Sequence, residues 1–188
     1  MTRLIKARLG FGVLLGVLVL GGTGLEGTAF ASGTSGPIKV WGIVNGSTTN
    51  RPTPVLVTGA IGDVGTEQTV NSSGRPDGKG NYFKLSLRKG SLTLNGTQFN
   101  AALSAEENGN PPADYSVTTC TGSFTVGPAP APVVSGTGAY AGISGSVNLS
   151  AQLAILLGKT KAGACNTGAN ATSLGFWGVV TGQGTISY

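Results

Sequence analysis

Gly136-Thr-Gly-Ala-Tyr140-Ala-Gly142-Ile-Ser-Gly145-Ser-Val-Asn-Leu149 is a run of small residues broken by one aromatic, and the pattern that begins at its end decides the fold. From Val147 the odd positions Val147, Leu149, Ala151, Leu153 and Ile155 are apolar, whereas Asn148, Ser150 and Gln152 are polar. Successive side chains of an extended backbone point to opposite faces, so this period of two marks a strand with one face buried. In isolation Gly136-x-Gly138-x-x-Ala141 matches a dinucleotide-binding fingerprint. That fingerprint needs a helix after its last small residue, whose N-terminus holds the pyrophosphate, and here a strand comes next. The run therefore reads as a glycine-rich turn feeding a strand.

The same pattern extends in both directions. Pro37–Val44 is β-branched and apolar on both alternating faces, the look of a strand buried on both sides. Val55–Ile61 reads as a second strand, Gly62–Gly65 as a tight turn and Thr66–Val70 as a short third strand. Asn71–Gly80 has the residue types of a long hairpin loop. Beyond it Phe83, Leu85 and Leu87 alternate with Lys84, Ser86 and Arg88, and Leu92 and Leu94 resume the alternation towards Phe99. Ala105–Ala113 is expected as a surface loop, Tyr115–Val126 as a strand and Gly127–Pro132 as an extended, non-pairing link. Leu174–Val180 and Thr181–Ser187 close the chain, with Gly182 and Gly184 marking bends. Seven to nine short strands and no long amphipathic helix leave a closed barrel or a two-sheet sandwich; glycines at bends and strands apolar on both faces favour the barrel.

Composition narrows the chemistry. The 188 residues include 33 glycines and no histidine, and 10% are charged. Without histidine a Ser-His-Asp triad or a His-ligated zinc site is excluded, and no metal or cofactor is expected. Arg3, Lys6 and Arg8, the apolar run Leu9–Leu20 and the small-residue site Ala29-Phe-Ala31 have the three parts of a secretory signal. The run is shorter than the ~20 residues of a membrane span, and no later segment reaches that length. The expected organisation is a signal peptide over 1–31 cleaved after Ala31, a flexible leader over 32–36 and one β-barrel domain over 37–188, secreted without a membrane span. Cleavage leaves a small, scattered positive charge, which gives no reason to expect nucleic acid. Cys120 and Cys165, an even count in a chain bound for an oxidising compartment, are expected to form a disulfide.

Gly136–Leu149 resembles the Gly-Thr-Gly-x-Tyr-x-Gly-Ile-x-Gly hairpin of the allene oxide cyclase-like barrels, a superfamily that includes plant dirigent proteins and exported bacterial members. Val57–Asp63, Lys84–Gly90, Cys165-Asn166 and Thr181–Ile186 carry further likenesses to the bacterial members. The resemblance implies a single antiparallel, eight-stranded up-and-down barrel with a partly apolar cavity. It carries over no catalytic residue, since no position here matches those of the plant cyclases.

The candidates for lining such a cavity are Trp41, Tyr140, Phe176 and Trp177, with Asp63 at the rim after a barrel strand. Asp63, Glu67, Asp77, Glu106, Glu107 and Asp114 are the carboxylates available for acid–base work, and all read as loop or turn residues. The expected role is binding a small apolar molecule or a surface partner. A cyclase or isomerase that steers a reactive intermediate is the alternative, and a structural protein of the cell envelope the third reading. Oligomeric state is not legible in the sequence.

Overall fold

The computed structural model describes residues 35–45, 51–107, 114–167 and 173–188. The expected signal peptide and residues 32–34 of the expected leader lie outside them. Eight strands form a closed barrel: β1 (Ser35–Asn45), β2 (Thr53–Gly59), β3 (Asp63–Val70), β4 (Tyr82–Leu87), β5 (Gly90–Asn95), β6 (Thr121–Gly138), β7 (Ser144–Leu157) and β8 (Ser173–Ser187). Each strand pairs antiparallel with the next in sequence. β8 returns to β1 in an unbroken register from Ser35 opposite Ser187 to Asn45 opposite Trp177. Ser35 and Gly36, expected in the leader, are thus already paired in β1.

The interior is one apolar cluster built by the odd–even alternation of each strand. Ile38 and Val40 enter it from β1, Val55 and Val57 from β2, and Val147, Leu149, Ala151 and Leu153 from β7. Gly182 of β8 shows how tightly the lumen is filled: a Cβ there would lie 2.6 Å from Val147 Cγ1, 2.9 Å from Leu149 Cδ2 and 3.3 Å from Val40 Cβ. The glycine is the space that those three side chains occupy.

Residues 115–120 of the expected Tyr115–Val126 strand precede β6 and are mostly turn, and Asp63–Gly65 of the expected Gly62–Gly65 turn open β3. Two longer segments also differ from the sequence reading. Gly127–Pro132 is not a non-pairing link, because β6 runs through it after a bulge between Val126 and Ala129, with Pro130 opposite Asn148 and Pro132 opposite Ser146. Backbone N–H groups alternate in direction along a strand, so prolines at 128, 130 and 132 put every missing donor on one edge. Ala129 and Ala131 keep theirs on the other, and their small side chains are buried in the lumen. Pairing of β6 with β5 begins only at Val133, opposite Leu94. The second difference is a helix, α1 (Thr97–Glu107), where the apolar alternation was expected to continue towards Phe99. Asn95 ends the strand and caps the helix, its Oδ1 accepting from Thr97 N at 3.0 Å and from Thr97 Oγ1 at 2.7 Å. Phe99 anchors it, buried with its ring edge-on to Phe83 at 5.9 Å.

The two ends of the barrel are unlike. Connections 60–62, 88–89 and 139–143 at one end are short, whereas 46–52, 71–81, 96–120 and 158–172 at the other are long. At the long-loop end Cys120, which precedes β6, is bonded to Cys165, which follows β7, with Cα atoms 5.3 Å apart. Closing a loop of sequence separation 45 stabilises the fold by about 4 kcal/mol in the chain-entropy account.

Gly182→Ala tests the filled lumen. The added methyl should cost about 1–3 kcal/mol through overpacking, read as a lower melting temperature, and Val147→Ala in the same chain should restore part of the loss.

Candidate functional site

The five residues singled out in the sequence fall into three places. Asp63 and Tyr140 meet at the short-loop end. Tyr140 Oη donates to Asp63 Oδ2 at 2.6 Å, Lys89 N donates to the same oxygen at 3.0 Å, and Val64 N donates to Oδ1 at 2.8 Å. One carboxylate therefore ties together the start of β3, the β4–β5 turn and the β6–β7 hairpin. Asp63 lies at the barrel end, as expected, but as the buried first residue of β3 and not as a turn residue. The Tyr140 hydroxyl above all, then the backbone donors, holds its carboxyl down at about 2. Burial first, and then the Asp63 carboxylate, pushes the Tyr140 phenol up. Tyr188 closes this end, its ring edge-on to Tyr140 at 5.8 Å. An acid held ionised beside a phenol held protonated, with both carboxylate oxygens bonded, is a structural fastening.

Phe176 lies inside, half-buried against the core, with its ring 6.4 Å from that of Phe124. Glu67, which lies in the run Thr66–Val70 read as a strand although grouped with the loop carboxylates, faces inward from β3. Its Oε2 accepts from Thr53 Oγ1 at 3.2 Å, while Oε1 is buried with no hydrogen-bond partner among the described residues. Burial pushes the Glu67 carboxyl up.

Trp41 and Trp177, expected to face a cavity within the barrel, are each 48% exposed and face outward. The reason is register: the buried Ile38 and Val40 fix the inward parity of β1, so Trp41 and Ile43 must point out. Trp41 still lines a cavity, but an external one. A groove of about 780 Å³, open along its length, runs over the outer wall of β8, β1, β2, β3 and β4, lined by Trp41, Ile43, Pro54, Leu56, Val64 and Val179 and, towards β4, by Thr66, Ser86 and Arg88. Pairing sets these side by side: Ile43 faces Val179, Trp41 faces Leu56, Leu56 faces Val64, Pro54 faces Thr66 and Thr66 faces Ser86. The outside of an antiparallel sheet is usually polar, so a contiguous apolar patch with a half-exposed tryptophan on the outer wall stands out from that pattern.

The sequence reading did not single out Ile43, Leu56, Val64, Val179 or Arg88 as site residues. For Ile43 the signal was the apolar character of β1 on both faces, taken there as burial on both sides. Comparison with protein-family models, curated proteins and solved structures found no match.

The two interior carboxyls should give opposite pH responses. Asp63 has a folded value depressed from 3.8 to about 2, so its contribution is complete above pH 4 and lost as the pH falls towards 2. Asp63→Asn should lower the melting temperature by several degrees at pH 7 and flatten the acid limb in that window. Glu67 is raised, so it favours the fold below its unfolded value of 4.5 and opposes it as the pH rises through the folded value. Glu67→Gln should raise the melting temperature at pH 7 with little effect at pH 4, as thermal unfolding across a pH series would show.

Proposed function

We propose that this protein is an exported binding barrel that takes a small apolar molecule in its outer-wall groove, beside Trp41, and uses its lumen as a solid support. The observation that carries the reading is the groove: about 780 Å³ of concave space lined mainly by apolar side chains, within the range of small-molecule sites. Its floor is the backbone of five paired strands, so a ligand meets a preformed surface and little ordering is needed on binding. Export is supported by the secretory pattern of Met1–Ala31 and by a disulfide compatible with an oxidising compartment. The likeness to the allene oxide cyclase-like and dirigent-like barrels enters as a proposal of shared architecture, in keeping with the eight-stranded closure.

The cyclase or isomerase alternative would put a reacting molecule in the lumen. Val40, Val147 and Leu149 already fill the space at Gly182, and the Asp63–Tyr140 pair has its bonding capacity engaged. Both facts favour binding on the wall.

Trp41, one of the chain's two tryptophans, lines the groove, so its share of the intrinsic fluorescence reports on the site. Titration with the neutral probe N-phenyl-1-naphthylamine should quench and blue-shift the tryptophan emission and raise the melting temperature. Trp41→Ala or Leu56→Asp should weaken binding by about tenfold, roughly 1.4 kcal/mol, while Gly182→Ala, which alters the lumen alone, leaves it intact. Binding lost in Gly182→Ala but kept in Trp41→Ala would move the site indoors and overturn the reading.

A further inference from the structure

We infer that the molecule seated in the groove is an amphipathic carboxylate, lying with its apolar body across β1, β2 and β3 and its anionic head at Arg88. This rests on the groove reading above and adds a polarity to it. Outward-facing residues in register form rows across the wall, at right angles to the strands. One row is Trp41, Leu56 and Val64, and it reaches Arg88 one step past the pair Gly65–Leu87. The adjacent row passes from Pro54 to Thr66 and Ser86, with Ile43 and Val179 paired at its apolar side. Both rows therefore change from apolar to polar in the same direction, the first between β3 and the end of β4 and the second between β2 and β3. Neighbouring strands lie about 4.8 Å apart, so the path from Trp41 to Arg88 is about 14 Å.

The charge at the polar end has one sign. Among the described residues Arg88 is the one charged side chain lining the groove, and Lys84 projects from the same outward face of β4, two residues from Ser86. The two carboxylates of β3 do not oppose them: Asp63 is held by Tyr140, Lys89 N and Val64 N, and Glu67 is turned into the barrel with Thr53. A guanidinium flanked by two hydroxyls, with no acid among the groove's described lining, suits a carboxylate, which it binds through paired N–H donors, with Ser86 and Thr66 in place to donate to the same head. A neutral hydrocarbon would leave this end unused, and a cationic amphiphile would be repelled by it.

Dodecanoate and dodecanol share a chain and differ in the head, so they separate the two layers of the reading. Binding is followed at pH 8 by tryptophan emission and by calorimetry, below the micellar range, with the mature protein. Dodecanoate should bind at least tenfold more tightly than dodecanol, and the preference should shrink as salt is added. Arg88→Gln should bring the two affinities together, whereas Arg75→Gln, the same charge change in the 71–81 connection, should preserve the preference. Trp41→Ala should weaken both ligands. Equal affinity in the parent protein, or a preference that survives Arg88→Gln, overturns the carboxylate inference while leaving the apolar groove standing. No binding of either ligand overturns the groove reading itself. A response confined to anionic phosphatidylglycerol vesicles assigns the patch to a membrane surface, and one that tracks protein concentration without ligand assigns it to a second copy of the chain; both overturn the inference.

Discussion

The Asp63 carboxylate is the fixed point of the barrel. Lys89 N and Tyr140 Oη reach it from two connections, and Asp63 itself directly follows a third, so the β2–β3 turn, the β4–β5 turn and the β6–β7 hairpin must reach one place at once. Those are the three short connections, and their length leaves little freedom once the carboxylate is held. A charged oxygen with full hydrogen bonding is tolerated in a buried place, and a charge that lost its donors there would be expensive. The fastening thus sets the relative height of β3, β5 and β7. Height is what decides which residues face the lumen and which face the wall.

That division of faces explains why the interior was easier to read than the surface. The alternations at Phe83–Arg88 and Val147–Leu153 announce their inward residues, because a polar residue stands between successive apolar ones. β1 offers a single contrast, Lys39 between Ile38 and Val40; beyond it Val40, Trp41, Ile43 and Val44 are all apolar, and hydropathy there cannot separate a strand buried on both faces from one with an exposed apolar outer face. The parity is supplied by tertiary pairing, through Val40 opposite Val57 and Trp41 opposite Leu56. The proline run hid its strand for a different reason. Prolines are strand breakers only where their missing donors are needed, and at 128, 130 and 132 those all fall on one edge.

Glu67 and α1 were hidden by neighbours distant in sequence. The strand that holds Glu67 was recognised, but a Glu within a short polar strand gives no local sign of facing inward, and its environment comes from Thr53 and Leu85 across the sheet. The helix starts from an Asn95-Gly96 break that equally fits a turn, and Phe99 secures it by reaching Phe83. The disulfide, by contrast, came from arithmetic on two cysteines, and its partners do lie together at the long-loop end. That end carries the long connections, while the groove rests on strands tied together at the opposite end.

The pairing of β8 with β1 joins the beginning of the described chain to its end, Ser35 beside Ser187. A chain delivered progressively from its N-terminus can make the hairpins from β1 through β7 as they emerge, yet β1 keeps an open edge until the fifteen residues of β8 arrive. Part of that waiting edge is the stretch bearing Trp41 and Ile43. The protein therefore depends on a late, long-range step, and its apolar wall stays half-assembled until β8 has been delivered.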